Sequence, residues 1–416
     1  MNNKHILFLT PPNPFLINPL SVPRLGVLYL ATALKQHGHE VTVCHLQTFS
    51  ELEELVKLPF DVIGVSATTR EYLDALQILN YFKREHHPAT VIIGGPHATA
   101  LPDECLRNGF DLVVTGEADG QIIDILDNPI KRGTIVHAGF VQNLNCLPFP
   151  NRRLVNSLNT QAFMGMRQPS LRTTTMMLSR GCPYRCEFCG PHFAYRRRSK
   201  EHIVSELRML ANDGYEGLII LDDLPFVNKE QAYRFCETIQ PFNFRFRCNL
   251  RTDFLTPKIA MRLADAGCCR LQFGIESASQ LVLQRINKGD TTHNGEAIKL
   301  CRETGIEAKA MFIFGLPGDN LISAQKIVEW VACYRPDSIQ VSKFTPLPGS
   351  PLWQNGYHFT DYTTLSFFPN SFFTYPLTHQ QDQVSEMIYW ILLQCQEFTH
   401  IDSGATMQNH SASTKK

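Results

Sequence analysis

The sequence predicts an α/β protein of two successive units: an N-terminal doubly wound parallel sheet, then a partial (β/α)6 barrel, followed by a helical, aromatic-rich extension. Short apolar runs alternate with helical patterns from Ile6 to about Asp127, the arrangement that builds a parallel sheet covered on both faces. From Thr175 the period changes to longer strand-and-helix units, six in all. Between them lie Pro129, Gly133, Gly139 and the run Leu147-Pro148-Phe149-Pro150-Asn151-Arg152, the composition of a crossing between domains. A chain of 416 residues also exceeds what one core usually organises.

In the first unit the expected strands are Ile6 to Leu9, Val41 to His45, Val62 to Ser66, Val91 to Ile93 and Leu112 to Val114. Val27, Leu30, Ala31 and Leu34 share one helical face, and Gly38 supplies the stop. A second helix starts near Arg70, with Leu73, Leu76, Leu79 and Phe82 expected inward. Five such units make a doubly wound sheet of the flavodoxin type, whose ligands sit beyond the carboxyl ends of the strands. Three loops stand there: Ser66-Ala67-Thr68-Thr69, Gly94-Gly95-Pro96-His97-Ala98-Thr99 and Thr115-Gly116-Glu117-Ala118-Asp119. Small residues let backbone approach a large cofactor, and hydroxyls offer it hydrogen bonds. Each loop taken alone is also ordinary turn chemistry.

The barrel strands are read at Thr175 to Ser179, Gly217 to Leu221, Phe244 to Cys248, Cys269 to Phe273, Ala308 to Phe314 and Asp337 to Lys343. Chemistry belongs at their C-terminal ends. Domain limits follow as 1–130, a linker at 131–172, a barrel at 173–351, an extension at 352–403 and a disordered tail at 404–416. Aromatics of the extension, among them Trp353, Phe367, Phe368, Phe372, Phe373 and Tyr375, are expected over the barrel mouth, and Val384 to Phe398 as a packing helix.

After the first barrel strand comes Ser179-Arg180-Gly181-Cys182-Pro183-Tyr184-Arg185-Cys186-Glu187-Phe188-Cys189-Gly190. Three thiolates on one loop can hold three irons of a cubane cluster and leave the fourth iron open. A structural zinc loop is the alternative, although zinc sites usually pair two short Cys/His spacings; chance clustering among 13 cysteines is another. The spacing closely resembles the CxxxCxxC signature of radical S-adenosylmethionine (SAM) enzymes, with Phe188 before the last cysteine.

That resemblance implies a [4Fe-4S] cluster on Cys182, Cys186 and Cys189, with SAM at the open iron and Phe188 among the SAM contacts. Leu221-Asp222-Asp223 is similar to the family's acidic turn near the methionyl amine, with Asp222 favoured and helix capping the alternative. Phe273-Gly274-Ile275-Glu276-Ser277 resembles its GIES segment, which makes Glu276 and Ser277 candidates for the ribose or methionyl part, again with capping as the alternative. Met311 to Gly318 resembles the glycine-containing segment against adenine, where Gly315 is permissive backbone. Arg251 and Arg196-Arg197-Arg198 could meet carboxylate or phosphate and are given no catalytic role.

The upstream unit resembles the cobalamin-binding domain of one large class of the same superfamily, through Pro23-Arg24-Leu25-Gly26-Val27-Leu28-Tyr29-Leu30, Gly38-His39-Glu40-Val41 and Gly94-Gly95-Pro96-His97-Ala98-Thr99. The cobalamin contacts implied are Ser66, Thr69, Gly94, Gly95, Thr115, Gly116 and Glu117. One departure is the missing DxHxxG loop, whose histidine ligates cobalt in many cobalamin proteins; His97 is read as a turn or lining residue.

The implied activity is reductive cleavage of SAM to a 5′-deoxyadenosyl radical and cobalamin-dependent methylation of an unactivated carbon of a small molecule, one SAM remethylating cobalamin and another making the radical. Radical dehydration, oxidation, epimerisation or rearrangement without methyl transfer is the alternative, with the first domain structural or gripping substrate. A methylthiotransferase would need Cys44, Cys105 and Cys146 in other contexts. A non-catalytic sensor would make the barrel motifs coincidence. Partners implied are a small-molecule substrate and an electron donor such as flavodoxin or ferredoxin. Lys+Arg and Asp+Glu both number 39, which argues against a nucleic-acid or anionic-membrane partner. No signal peptide or apolar span is read, and most cysteines lie in apolar segments, so a cytoplasmic protein without disulfides is expected.

Overall fold

The computed structural model describes residues 3–12, 22–155, 161–165, 167, 170–190, 192–359, 362 and 381–401. Its first sheet contains β1 (His5–Thr10), β2 (Glu40–His45), β3 (Val62–Ser66), β4 (Thr90–Gly94), β5 (Leu112–Thr115) and β6 (Thr134–His137) in the order β2-β1-β3-β4-β5-β6. All pairings are parallel. Apolar side chains cover both faces: Leu7, Leu9, Ile63 and Val65 join one core, Ile6, Phe8, Val62 and Ile92 the other. This is why the strands read as continuous apolar runs instead of alternating ones.

Two details differ from expectation. The strand β6 lies in the stretch read as a linker, a four-residue run between Gly133 and Gly139, both in the left-handed region; it is too short to stand out from a loop by pattern. The helix Tyr72–Arg84 buries Tyr72, Ala75, Ile78, Leu79 and Phe82, leaving Leu73 and Leu76 half-buried. Tyr72, at the start of its buried stripe, stacks on the buried His97 at 3.8 Å.

The second sheet runs β16-β15-β14-β13-β12-β11-β8-β7. Six parallel strands form the partial barrel: β8 (Ser170–Met176), β11 (Gly217–Ile220), β12 (Arg245–Leu250), β13 (Cys268–Glu276), β14 (Glu307–Phe314) and β15 (Ser338–Lys343). The edges are extended by β7 (Gln161–Phe163), antiparallel, and β16 (His400–Ile401), parallel. Phe246, Cys248 and Leu250 enter the core beneath the helices, while Arg245, Arg247 and Asn249 take the opposite, half-buried face of β12.

The first barrel strand ends earlier than the expected Ser179, at Met176. Asp222 draws the chain out of the ladder: it accepts a bond from the Leu178 N–H at 2.9 Å and one from Ser179 Oγ. Ser179–Arg180 (β9) then pairs antiparallel with Arg196–Arg197 (β10). The cysteine loop is therefore a hairpin-like insertion held at its base.

The helix Gln381–Cys395 buries Ile388, Ile391, Leu392 and Cys395 in the barrel core. Phe367, Phe368, Phe372, Phe373, Tyr375 and the tail from 404 lie outside the described residues. The thirteen cysteines are free. No helix among the described residues is long and apolar enough to cross a membrane.

Candidate active site

The cysteine loop is fastened at several points. Gly181 has φ +80°, and a Cβ there would strike the backbone of Phe193 and Ala194, so a larger residue cannot precede Cys182 without moving β10's approach. Cys182 N–H donates to Phe193 O at 3.3 Å and Glu187 N–H to Ile286 O at 2.9 Å. Asn287 Nδ2 donates to Arg185 O at 3.0 Å, and Leu352 N–H to Glu187 O at 3.0 Å. Phe188 packs among Val282, Leu283, Ile286, Leu316, Phe344 and Leu352, so the aromatic residue of the motif anchors the loop by burial.

Cys186 is buried, Cys182 half-buried and Cys189 exposed. Burial pushes the Cys186 thiol up, while the Lys288 and Arg251 cations oppose it. Among the described residues no three His, Cys, Asp or Glu side chains gather closely enough for a single ion. A polynuclear cluster needs one thiolate per iron, which Cys182, Cys186 and Cys189 can each supply.

Asp222 is fully buried, and with its oxygens engaged by Leu178 and Ser179 it anchors the strand-to-loop exit. Burial pushes its carboxyl up to about 6 against those bonds. Its neighbour Asp223 is the exposed member of the pair. Glu276 sits where the β13–β14 register shifts, at φ +63°, an uncommon conformation for a residue with a Cβ. Its carboxylate lies 3.3 Å from Lys288 Nζ. Such backbone strain concentrates at functional sites. Ser277 Oγ accepts from the Ser279 N–H at 3.1 Å, ahead of the helix Gln280–Arg285. Gly315 has φ +96°, and its N–H and that of Leu316 donate to Asp319 Oδ2, each at 2.9 Å. Burial pushes Asp319 up to about 6. Asp319 was not singled out from sequence; an acid four residues after a turn glycine was its only signal.

A cavity of ≈ 360 Å³ joins the two units. Its apolar part comes from Phe8, Val27, Leu30, Ile92, Val114 and Ile122 of the first unit. Gly26, Gly64, Ser66, Gly94, Gly95 and Gly116 bring backbone to its rim, and Ser179, Arg180, Gly181, Asp222 and Asp223 face it from the barrel. Of the loop residues read from sequence, Ser66, Gly94, Gly95, Gly116 and Glu117 line this cleft. Thr69 and Thr115 are outside its lining: Thr69 Oγ1 meets His97 Nδ1 at 3.3 Å and Thr115 Oγ1 meets His137 Nδ1 at 2.9 Å. His97 is fully buried, its imidazole pushed down to about 4 by burial, and among the described residues no histidine lines the cleft. From sequence, Gly26 stands only within the cobalamin-domain resemblance and Gly64 is not singled out, although a glycine inside a strand is a known mark of close approach.

Charged pairs lock the cleft. Arg196 makes a bidentate bond to Glu117 at 2.7 and 2.8 Å, and Arg180 binds Asp119 at 2.9 Å. Glu117 also accepts the Val141 N–H at 2.9 Å. These arginines occupy the two strands that bracket the cysteine loop, so the acidic loop after β5 is tied to the base of the site. Arg197 donates to Pro225 O, and Arg198 to Glu206 at 2.5 Å. The basic tract read from sequence is thus spent on internal contacts.

A sheet with a cleft at its strand ends, facing a half barrel that carries three cysteines at its mouth, defines a two-cofactor enzyme class. Residues 176–331 match the Radical SAM superfamily and residues 19–126 the B12 binding domain. An uncharacterized methyltransferase of Pyrococcus horikoshii is 27% identical over 84% of this chain and 82% of its own length. The anaerobic magnesium-protoporphyrin IX monomethyl ester cyclase of Cereibacter sphaeroides is also 27% identical, over 80% of this chain and 60% of its own. The structure of the radical SAM methyltransferase TsrM from Kitasatospora setae, with cobalamin and a [4Fe-4S] cluster bound, superposes with a TM-score of 0.64 at 17% identity, covering 84% of this chain and 74% of that one. The chain belongs to the radical SAM superfamily, in the class that carries a B12-binding domain before the barrel.

Proposed function

We propose that this enzyme is a cobalamin-dependent radical SAM methyltransferase acting on an unactivated carbon of a small molecule. The observation that carries the reading is the single cleft lined both by the glycine loops of the first sheet and by Ser179 to Gly181 at the entry to the cysteine loop. Its apolar wall suits the flat aromatic base of a cobalamin, and its backbone-rich rim suits the amide edge. When bound, the cluster supplies the electron that cleaves SAM, and cobalamin carries the methyl group.

In this reading Cys182, Cys186 and Cys189 hold three irons. Asp223, exposed at the cleft, and Glu276 accept hydrogen bonds from the methionyl amine, while Asp222 keeps its anchoring role. Gly315, at φ +96°, is the permissive backbone of the segment assigned to adenine. Ser66, Gly94, Gly95, Gly116 and Glu117 would hold the cobalamin along the cleft. An external one-electron donor such as flavodoxin or ferredoxin and a reducing cytoplasmic compartment complete the scheme.

Anaerobic reconstitution with and without cobalamin, followed by mass spectrometry, tests it. Cobalamin absorption on the protein, with S-adenosylhomocysteine formed beside 5′-deoxyadenosine, is the expected result. Protein with no cobalamin absorption that makes only 5′-deoxyadenosine would leave the second reading, radical chemistry without methyl transfer, which the name of the cyclase relative keeps in view.

The cleft makes a sharper prediction at Gly26. A Cβ there meets nothing within 4 Å, and the residue is helical, so Gly26→Leu should fold and project its side chain into the cavity. Cobalamin absorption should fall at least tenfold while iron content per chain stays unchanged.

A further inference from the structure

Behind the cysteine loop stand two cations, Arg251 and Lys288, that the proposed reaction does not use. The Arg251 guanidinium lies over the ring of Tyr184, 3.8 Å from its centroid. Tyr184 is the middle residue of the segment joining Cys182 to Cys186. Arg251 Nη2 also donates to Lys288 O at 3.4 Å, and Lys288 follows Ile286 and Asn287, the residues laced to the loop at Glu187 and Arg185. Arg251 therefore lies on the thiol-bearing loop by stacking, and Lys288 directly follows the segment bonded to that loop.

Their counter-charges are unequally placed. Asp253, which binds Arg251 at 2.6 Å, has a side chain 39% exposed, against 16% for Arg251. Glu276, 3.3 Å from Lys288, is 9% exposed. The Asp253 charge is the more screened by water, whereas Arg251, Lys288 and Glu276 act through a drier medium. Lys288 links the two pairs: its backbone carbonyl accepts the Arg251 bond and its ammonium meets Glu276.

We propose that Arg251 and Lys288 set the reduction potential of the cluster held by this loop, with Glu276 opposing them. The inference rests on the reading of Cys182, Cys186 and Cys189 as cluster ligands. Reduction adds one electron from an external low-potential donor and no proton, so the cluster becomes more negative by one charge. A fixed cation nearby favours the reduced state and a fixed carboxylate disfavours it; net charge and solvent exposure are recognised determinants of such potentials.

The test is an EPR-monitored redox titration of the iron-loaded full chain, anaerobically and without SAM. Arg251→Gln and Lys288→Gln should each make reduction about tenfold less favourable, a shift of about 59 mV to lower potential. Glu276→Gln should shift it upward, and Arg251→Lys, which keeps the charge and loses the stack, should stay near the wild type. Unchanged potentials in Arg251→Gln and Lys288→Gln at full iron content, or a downward shift in Glu276→Gln, overturn the proposal. If Arg251→Gln fails to load iron, Lys288→Gln and Glu276→Gln decide it by their opposite signs. A wild type that loads no cluster at all would instead sink the reading of the cysteine loop, so the two failures are distinguishable.

Discussion

Cys186→Ala is expected to abolish both cluster iron and 5′-deoxyadenosine formation. Cys186 is the buried member of the three loop cysteines, flanked by half-buried Cys182 and exposed Cys189, so water cannot readily replace its thiolate. Two remaining thiolates leave a cubane with two uncovered irons, which the loop has no further cysteine to satisfy. The surrounding scaffold does not depend on this thiol, because the loop is held by Phe188 and by backbone bonds to Ile286, Asn287 and Leu352. Thermal stability of the apoprotein should therefore change little. Cys333→Ala, at an exposed cysteine on the helix Leu321–Tyr334, should keep full iron. Iron quantification beside product analysis checks both variants; retained turnover in Cys186→Ala would defeat every radical mechanism for this chain.

Glu206→Ala is expected to lower stability by about 3–5 kcal/mol, the cost of leaving buried charges without their partner. Glu206 is fully buried and binds Arg152 at 2.8 Å and Arg198 at 2.5 Å. Arg152 also donates to Thr174 Oγ1 and Thr175 O, and Arg198 to Met177 O, so one carboxylate bridges two guanidiniums that bond the first barrel strand and its exit. Burial alone would raise the Glu206 carboxyl, but the two arginines outweigh it and hold the group below its ordinary value. A depressed folded value means that this stabilisation is complete above the unfolded glutamate value, about 4.3, and is lost as pH falls through the folded one. The difference in melting temperature between wild type and variant should be largest near neutral pH and narrow in acid. A gap independent of pH down to acid unfolding would show that packing, and not charge, holds this joint.

Much of the site was legible because its chemistry is local. Three cysteines in one loop, an aromatic before the last, and glycine turns after apolar runs are all short-range patterns. The strand ends were less legible. Asp222 and Asp223 are adjacent in sequence and both line the cleft, and only the fold buries one against Leu178 and Ser179 while leaving the other exposed. Thr69 and Thr115 looked equivalent to Ser66, yet each meets a histidine outside the cleft. Arg196, Arg197 and Arg198 read as one basic tract and serve three different partners.

The sequence by itself determined the two-unit α/β architecture, the parallel strand runs and the identity of the thiol loop, since hydrophobic period and residue spacing are properties of neighbours along the chain. Tertiary structure decided what lies between the units: the cleft shared by Gly26, Gly94 and Arg180, the pairing of Glu117 and Asp119 with the arginines beside the cysteine loop, and the stacking of Arg251 on Tyr184. Those contacts join residues tens of positions apart, and which side chain of a polar pair faces a cleft depends on strand register and bulges that no local pattern encodes.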